Sequence, residues 1–165
     1  TMGNASELIS CALERYVDFS GSMENYVDYI ANRPRVERVG EHGLFTDAGK
    51  PVMLRQVQKE AAEHKGVIWT HVISLKREDA ARLGYDRAEQ WMALLRSKRA
   101  MLCKHMKIDS ADLRWYAAFH NEGHHPHVHL MVYSARDNDG YLTKREKSLW
   151  IFEAGRKKSG GPDHR

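Results

Sequence analysis

The stretch Phe119-His-Asn-Glu-Gly-His-His-Pro-His-Val-His-Leu-Met-Val132 constrains this chain more than any other. It holds five of the ten histidines, His120, His124, His125, His127 and His129. Leu113 to Asn121 and His127 to Ser134 read as two strands, and the six residues Asn121 to Pro126 read as the loop of a hairpin. Side chains alternate faces along a strand, so the hairpin has two distinct surfaces. Leu113, Trp115, Ala117 and Phe119, with Val128, Leu130 and Val132, form an apolar face that must pack on helices. Arg114, Tyr116, Ala118 and His120, with His127, His129, Met131 and Tyr133, form the other. If His120 pairs near His127, three imidazoles converge, because directly opposed Cβ atoms lie ~5 Å apart.

Neutral imidazoles gathered on one face suit a divalent metal, and three of them leave positions open for water or substrate. His124 and His125, in the loop, read as solvated. A structural zinc site is the competing reading; it needs a fourth protein ligand, for which His71 is the obvious candidate. His71 reads better as a core-facing or substrate-facing residue.

The rest of the chain predicts helices against an antiparallel sheet, an α+β domain. Residues 12–20 read as a first strand ending at Gly21. Ser22 is placed to cap a helix through Asn32, with Met23, Tyr26, Val27, Tyr29 and Ile30 spaced for an amphipathic face, and Pro34 stops it. The glycine-rich stretch from Val39 to Pro51 predicts a loop. A helix follows over Leu54 to His64, ended by Gly66. Val67 to Leu75 is β-branched and aromatic, hence a strand. Arg77 to Leu83 predicts a short helix, and Asp86 is placed to cap a longer one from Arg87 to about Met106. Asn138-Asp-Gly140 predicts a turn and Thr143 to Ala154 a last helix. Residues 1–155 are expected to form one domain and 156–165 a basic, mobile tail.

The 165 residues suffice for one domain with a real core. A net charge of +4 only hints at an acidic partner such as nucleic acid. Cys11 and Cys103 are too few and too far apart for a disulfide framework or a thiolate zinc site, which fits a reducing compartment, the cytoplasm. No apolar run approaches the ~20 residues that span a bilayer.

Three blocks of this sequence, in order, resemble one family. Asp28-Tyr-Ile-Ala-Asn-Arg33 is similar to a tyrosine helix, Thr70-His-Val-Ile-Ser-Leu75 to a central strand, and Tyr116-Ala-Ala-Phe-His120 with His125-Pro-His-Val-His129 to a metal motif. Together they resemble the HUH endonucleases and, more closely, the P-class mobilisation relaxases of plasmids and integrative elements (the MobA/VirD group). The likeness covers roughly Tyr26 to Thr143.

The resemblance implies transesterification on single-stranded origin-of-transfer DNA, with a tyrosine nucleophile, a 5′-phosphotyrosyl link and a free 3′-OH. It implies His120, His127 and His129 as ligands of Mg²⁺ or Mn²⁺, although three imidazoles would also take Zn²⁺ or Ni²⁺. It places Tyr29 in the nucleophile's position, with Tyr26 in reserve and Tyr16 a distant third. Tyr116 and Tyr133 flank the metal face on rigid strands. Arg33, Arg35, Lys76 and Arg77 are candidate DNA contacts, and Asp28 and Glu122 are candidate carboxylates for orienting a bound imidazole. Accessory relaxosome proteins and a coupling protein are implied partners. The family usually opens with a better-formed strand and continues into a separate C-terminal region, so the chain is expected to be an excised catalytic domain or a minimal variant. The alternatives are a rolling-circle replication initiator with the same chemistry, a three-histidine metal hydrolase without a covalent tyrosine, and a non-catalytic single-strand-binding module.

Overall fold

The structure is a computed structural model that describes residues 13–16, as backbone, and 21–137. Four strands, β1 (Leu13–Tyr16), β2 (Ile68–Ser74), β3 (Leu113–His120) and β4 (His127–Ser134), form one sheet in the order β1-β2-β4-β3. Every neighbouring pair is antiparallel. The hairpin register sets His120 opposite His127 and Ala118 opposite His129. On the other side of β4, Val72 lies opposite His129 and Ser74 opposite His127, so β2 flanks the histidines with small and apolar residues.

Among the described residues, five helices accompany the sheet: α1 (Met23–Asn32), α2 (Leu54–Glu63), α3 (Arg77–Leu83), α4 (Ala88–Ser97) and α5 (Arg99–Met106). They divide between its two faces. Leu83, Trp91, Leu95, Leu102 and Met106, from α3, α4 and α5, share a core with Trp115, Phe119, Val128, Leu130 and Val132 of the hairpin. Val27 and Ile30 of α1 and Val57 and Ala61 of α2 pack with Ala118, Met131 and Tyr133 on the opposite face. Each large side chain buried this way contributes roughly 1.5–3 kcal/mol relative to exposure. His71, opposite Leu130 in the register, is fully buried on the α3–α5 side and therefore points away from the three hairpin histidines.

Helix α1 forms where its sequence dictates. The Ser22 hydroxyl accepts the Asn25 N–H at 3.2 Å, and Arg33, just before Pro34, turns extended with ψ 144°. The loop that follows covers the edge of β3. The Glu37 N–H donates to the Phe119 carbonyl, and Phe45 and Ala117 exchange backbone hydrogen bonds, which blunts an otherwise unpaired strand edge. Val36 bridges to His120, so the end of α1 is fastened beside the histidines.

Of the first strand, expected over 12–20, Leu13–Tyr16 forms β1 and the other residues lie outside those described. Three sequence expectations need correction. Gly66 does not cap α2: His64 ends that helix in an extended conformation, and a Cβ on Gly66 would stand 2.4 Å from the Asp137 carbonyl oxygen. Gly66 is thus a point of close backbone approach. Asp86 caps nothing; Arg87 precedes α4 without a side-chain cap. The helix expected from Arg87 to Met106 is two helices meeting at Lys98. There the Ser97 hydroxyl donates to the Leu94 carbonyl, and the Lys98 N–H is shared between the Leu94 and Leu95 carbonyls. Such local side-chain bonding competes with the helical ladder. The expected turn at 138–140, the helix from Thr143 and the tail after Gly155 lie outside the described residues. Among those described, no helix is long and apolar enough to cross a membrane.

Candidate metal centre and tyrosine helix

The alternation that separates the hairpin faces brings His120, His127 and His129 together. Their ring centroids are 4.6 Å (His120–His129), 5.0 Å (His127–His129) and 5.3 Å (His120–His127) apart. One nitrogen from each ring lies within 4.8 Å of the other two. His120 is fully buried, His129 is 6% exposed and His127 is half-buried, so the cluster opens to solvent on the His127 side.

Carbonyl contacts fix which nitrogen His120 and His127 offer. A carbonyl only accepts, so the His120 Nε2 that lies 2.9 Å from the Ile30 carbonyl carries the proton. That leaves the His120 Nδ1 as the lone-pair atom, buried and without a hydrogen-bond partner. The His127 Nδ1 likewise donates to the His125 carbonyl at 3.1 Å, leaving Nε2. The His129 Nδ1 lies 3.5 Å from the Tyr26 hydroxyl. Burial, the largest influence, pushes His120 down to about 4, against the opposing effect of its bond to Ile30. His120, a neutral ring with one nitrogen anchored to a carbonyl and the other without a hydrogen-bond partner, has the chemistry a metal ligand needs, and the three residues together fit a divalent cation.

The two tyrosines of α1 meet this cluster differently. Tyr26 is 1% exposed and packs edge-on to His129 at 6.3 Å; burial raises its phenol well above the ordinary range. Tyr29 is 37% exposed, and its ring stands edge-on to His129 at 6.0 Å. The Arg33 guanidinium lies over the Tyr29 ring, 5.0 Å from its centroid, and its Nε is 3.7 Å from the Glu122 carboxylate. A phenol beside a cation, facing solvent and a cluster of imidazoles, is accessible to an anionic substrate. Tyr116 and Tyr133, 6.4 Å apart, lie farther along the strands, and Tyr133 donates to Glu60 of α2. The side chain of Tyr16 lies outside the described residues.

The four candidate DNA contacts fare unequally. Arg33 borders the cluster. Arg35 is exposed and holds a left-handed backbone with φ 79°, while its carbonyl accepts the Asn121 N–H next to His120. Lys76 is exposed at the start of α3. Arg77 bonds the histidine loop, donating to the Gly123 and Glu122 carbonyls and to the Asn121 side chain. It fastens α3 to the loop joining the metal-site strands. Asp28 bonds Asn32 on the exposed side of α1, and Glu122 faces Arg33, so neither carboxylate orients an imidazole in this arrangement. The groups that do are two backbone carbonyls and a tyrosine hydroxyl, and backbone carbonyls leave no mark in a sequence. His124 and His125 have exposed rings.

The family model for MobL relaxases matches residues 21–149, from the cap of α1 through the histidine hairpin and beyond. No curated protein and no solved structure matches the chain. An α+β domain with three histidines on its central hairpin is the arrangement of an HUH endonuclease. The match spans most of the chain and encloses the histidine cluster and the tyrosine helix, and on that ground this protein belongs to the MobL relaxases.

Proposed function

We propose that the protein nicks and rejoins single-stranded DNA at a transfer origin, with Tyr29 as nucleophile and His120, His127 and His129 as the metal ligands. The observation that carries this reading is an exposed tyrosine edge-on to His129, on a helix whose Tyr26, Val27, Ile30 and Ala31 are buried against the histidine face. A divalent cation held there, Mg²⁺ or Mn²⁺ in function, supplies positive charge that polarises the scissile phosphate and offsets the charge of a pentacovalent state. The Tyr29 oxygen attacks phosphorus, the bond to the 3′ oxygen breaks, and the phenolic proton ends on that oxygen as a free 3′-OH. The resulting 5′-phosphotyrosyl link preserves the phosphodiester's energy, so the 3′-OH restores the strand by the reverse step without ATP. Arg33, Arg35 and Lys76 track the DNA backbone, while Arg77 holds the histidine loop. The reaction belongs in the cytoplasm, with accessory relaxosome proteins and a coupling protein as partners.

Incubation with Mn²⁺ and labelled single-stranded origin oligonucleotides tests this. A denaturation-resistant protein–DNA adduct is expected, abolished by Tyr29→Phe and retained by Tyr26→Phe at saturating metal. Cleavage with no adduct would mean a three-histidine hydrolase, and binding without cleavage a single-strand-binding module.

A further inference from the structure

We propose that Tyr26 is a positioning residue of the metal centre: its hydroxyl accepts the His129 Nδ1–H and so holds His129 in the tautomer that presents Nε2 to the ion. The inference rests on the metal-site reading above. The Tyr26 oxygen stands 3.5 Å from the His129 Nδ1, the upper end of hydrogen bonding, in a buried setting. A neutral imidazole carries one N–H. If the phenol donated to Nδ1, the His129 Nε2 would bear that N–H and have no lone pair to give. Ligation through Nε2 therefore selects the acceptor role for Tyr26.

The same helix supplies the matching contact on a second ligand, because the Ile30 carbonyl takes the His120 Nε2–H at 2.9 Å. Two of the three imidazoles are thus oriented by α1, one turn apart on its buried face, through opposite ring nitrogens. The ion is expected on one Nδ1 (His120) and two Nε2 atoms (His127 and His129). Tyr29, on the exposed side of that turn, is fixed relative to the ion by the groups that fix the ligands.

Tyr26→Phe keeps the ring and its packing and removes only the hydroxyl. Titration of the metal-free protein with Mn²⁺, followed by paramagnetic resonance or calorimetry, is expected to show affinity reduced by about 10- to 100-fold, the usual effect of losing such an outer contact. Circular dichroism should match wild type, and the DNA adduct should return at saturating Mn²⁺. Wild-type affinity in Tyr26→Phe would overturn the positioning role while leaving the metal reading intact. Adduct loss with unchanged affinity would make Tyr26 the nucleophile. Failure of the wild-type protein to bind Mn²⁺ would remove the metal reading and this inference with it. A second measurement is independent of how the variant folds: ¹⁵N resonances of the Zn²⁺-loaded wild type should show His129 protonated at Nδ1, and protonation at Nε2 would contradict the proposal.

Discussion

The two faces of the β3–β4 hairpin are built from the same strands and do different work. On the α3–α5 side, Trp115, Phe119, Val128, Leu130 and Val132 meet helices and bury apolar area. On the α1–α2 side, the same alternation presents His120, His127 and His129, and the covering helix answers them with a carbonyl and a hydroxyl. One face is held mainly by area removed from water, which tolerates exchange of one hydrophobe for another. The other depends on individual nitrogen atoms, where a single proton in the wrong place abolishes ligation. The hairpin is thus a scaffold on one side and a site on the other, and loss of stability and loss of chemistry should separate by face.

The largest stability effect should come from the apolar side. Phe119 is fully buried and stacks with Trp91, so Phe119→Ala should cost about 3–5 kcal/mol by chemical denaturation. Mn²⁺ affinity of the fraction that remains folded should be nearly unchanged. A large fall in that affinity would mean that the faces are not separable.

The histidine face should instead reveal itself through pH. Burial holds folded His120 at about 4, below the 6.5 of an unperturbed histidine. The unfolded chain therefore binds this proton first as pH falls. The metal-free protein keeps the full contribution above pH ~6.5 and loses it between there and pH ~4, by at most about 3 kcal/mol. Denaturation across that window should show a steeper loss in wild type than in His120→Asn. Equal slopes would place the pH dependence elsewhere.

The smallest effect should be a gain. Arg35 and Lys107 are the described non-glycine residues with left-handed backbone, one beside the histidine loop and one ending α5. Glycine at either position relieves a conformation that costs an L-residue about 1 kcal/mol. Both Arg35→Gly and Lys107→Gly should raise stability by about that amount, and only Arg35→Gly should weaken single-stranded DNA binding. Equal DNA affinity in the two variants would remove Arg35 from the DNA path.

The same contrast explains how much was legible in the sequence. Strand alternation alone separates the hairpin faces, because a period of two leaves few options, while the pairing of His120 with His127 is a condition that the hairpin register meets. Helix α1 was legible from Ser22 and Pro34. The split of the long helix at Lys98 was not, since Trp91, Leu95, Leu102 and Met106 keep the spacing of one continuous helix and no glycine or proline marks the break. Arg77 looked like any surface cation, and its use on the histidine loop depends on a fold that brings α3 to residues 121–123. Residue type suggested carboxylates as the groups orienting the imidazoles. The backbone of Ile30 and the hydroxyl of Tyr26 occupy that role because α1 lies directly against the cluster. The resemblance places Tyr29 ahead of Tyr26, and burial sets the two apart: one faces the core and the other faces solvent.

The most direct test of the account is to trap the wild-type protein on a Mn²⁺-activated origin oligonucleotide, digest the adduct and identify the nucleotide-bearing peptide by mass spectrometry. The account predicts a phosphodiester link to Tyr29. A link to Tyr26 or to any other residue, or strand cleavage with no linked peptide, would contradict it.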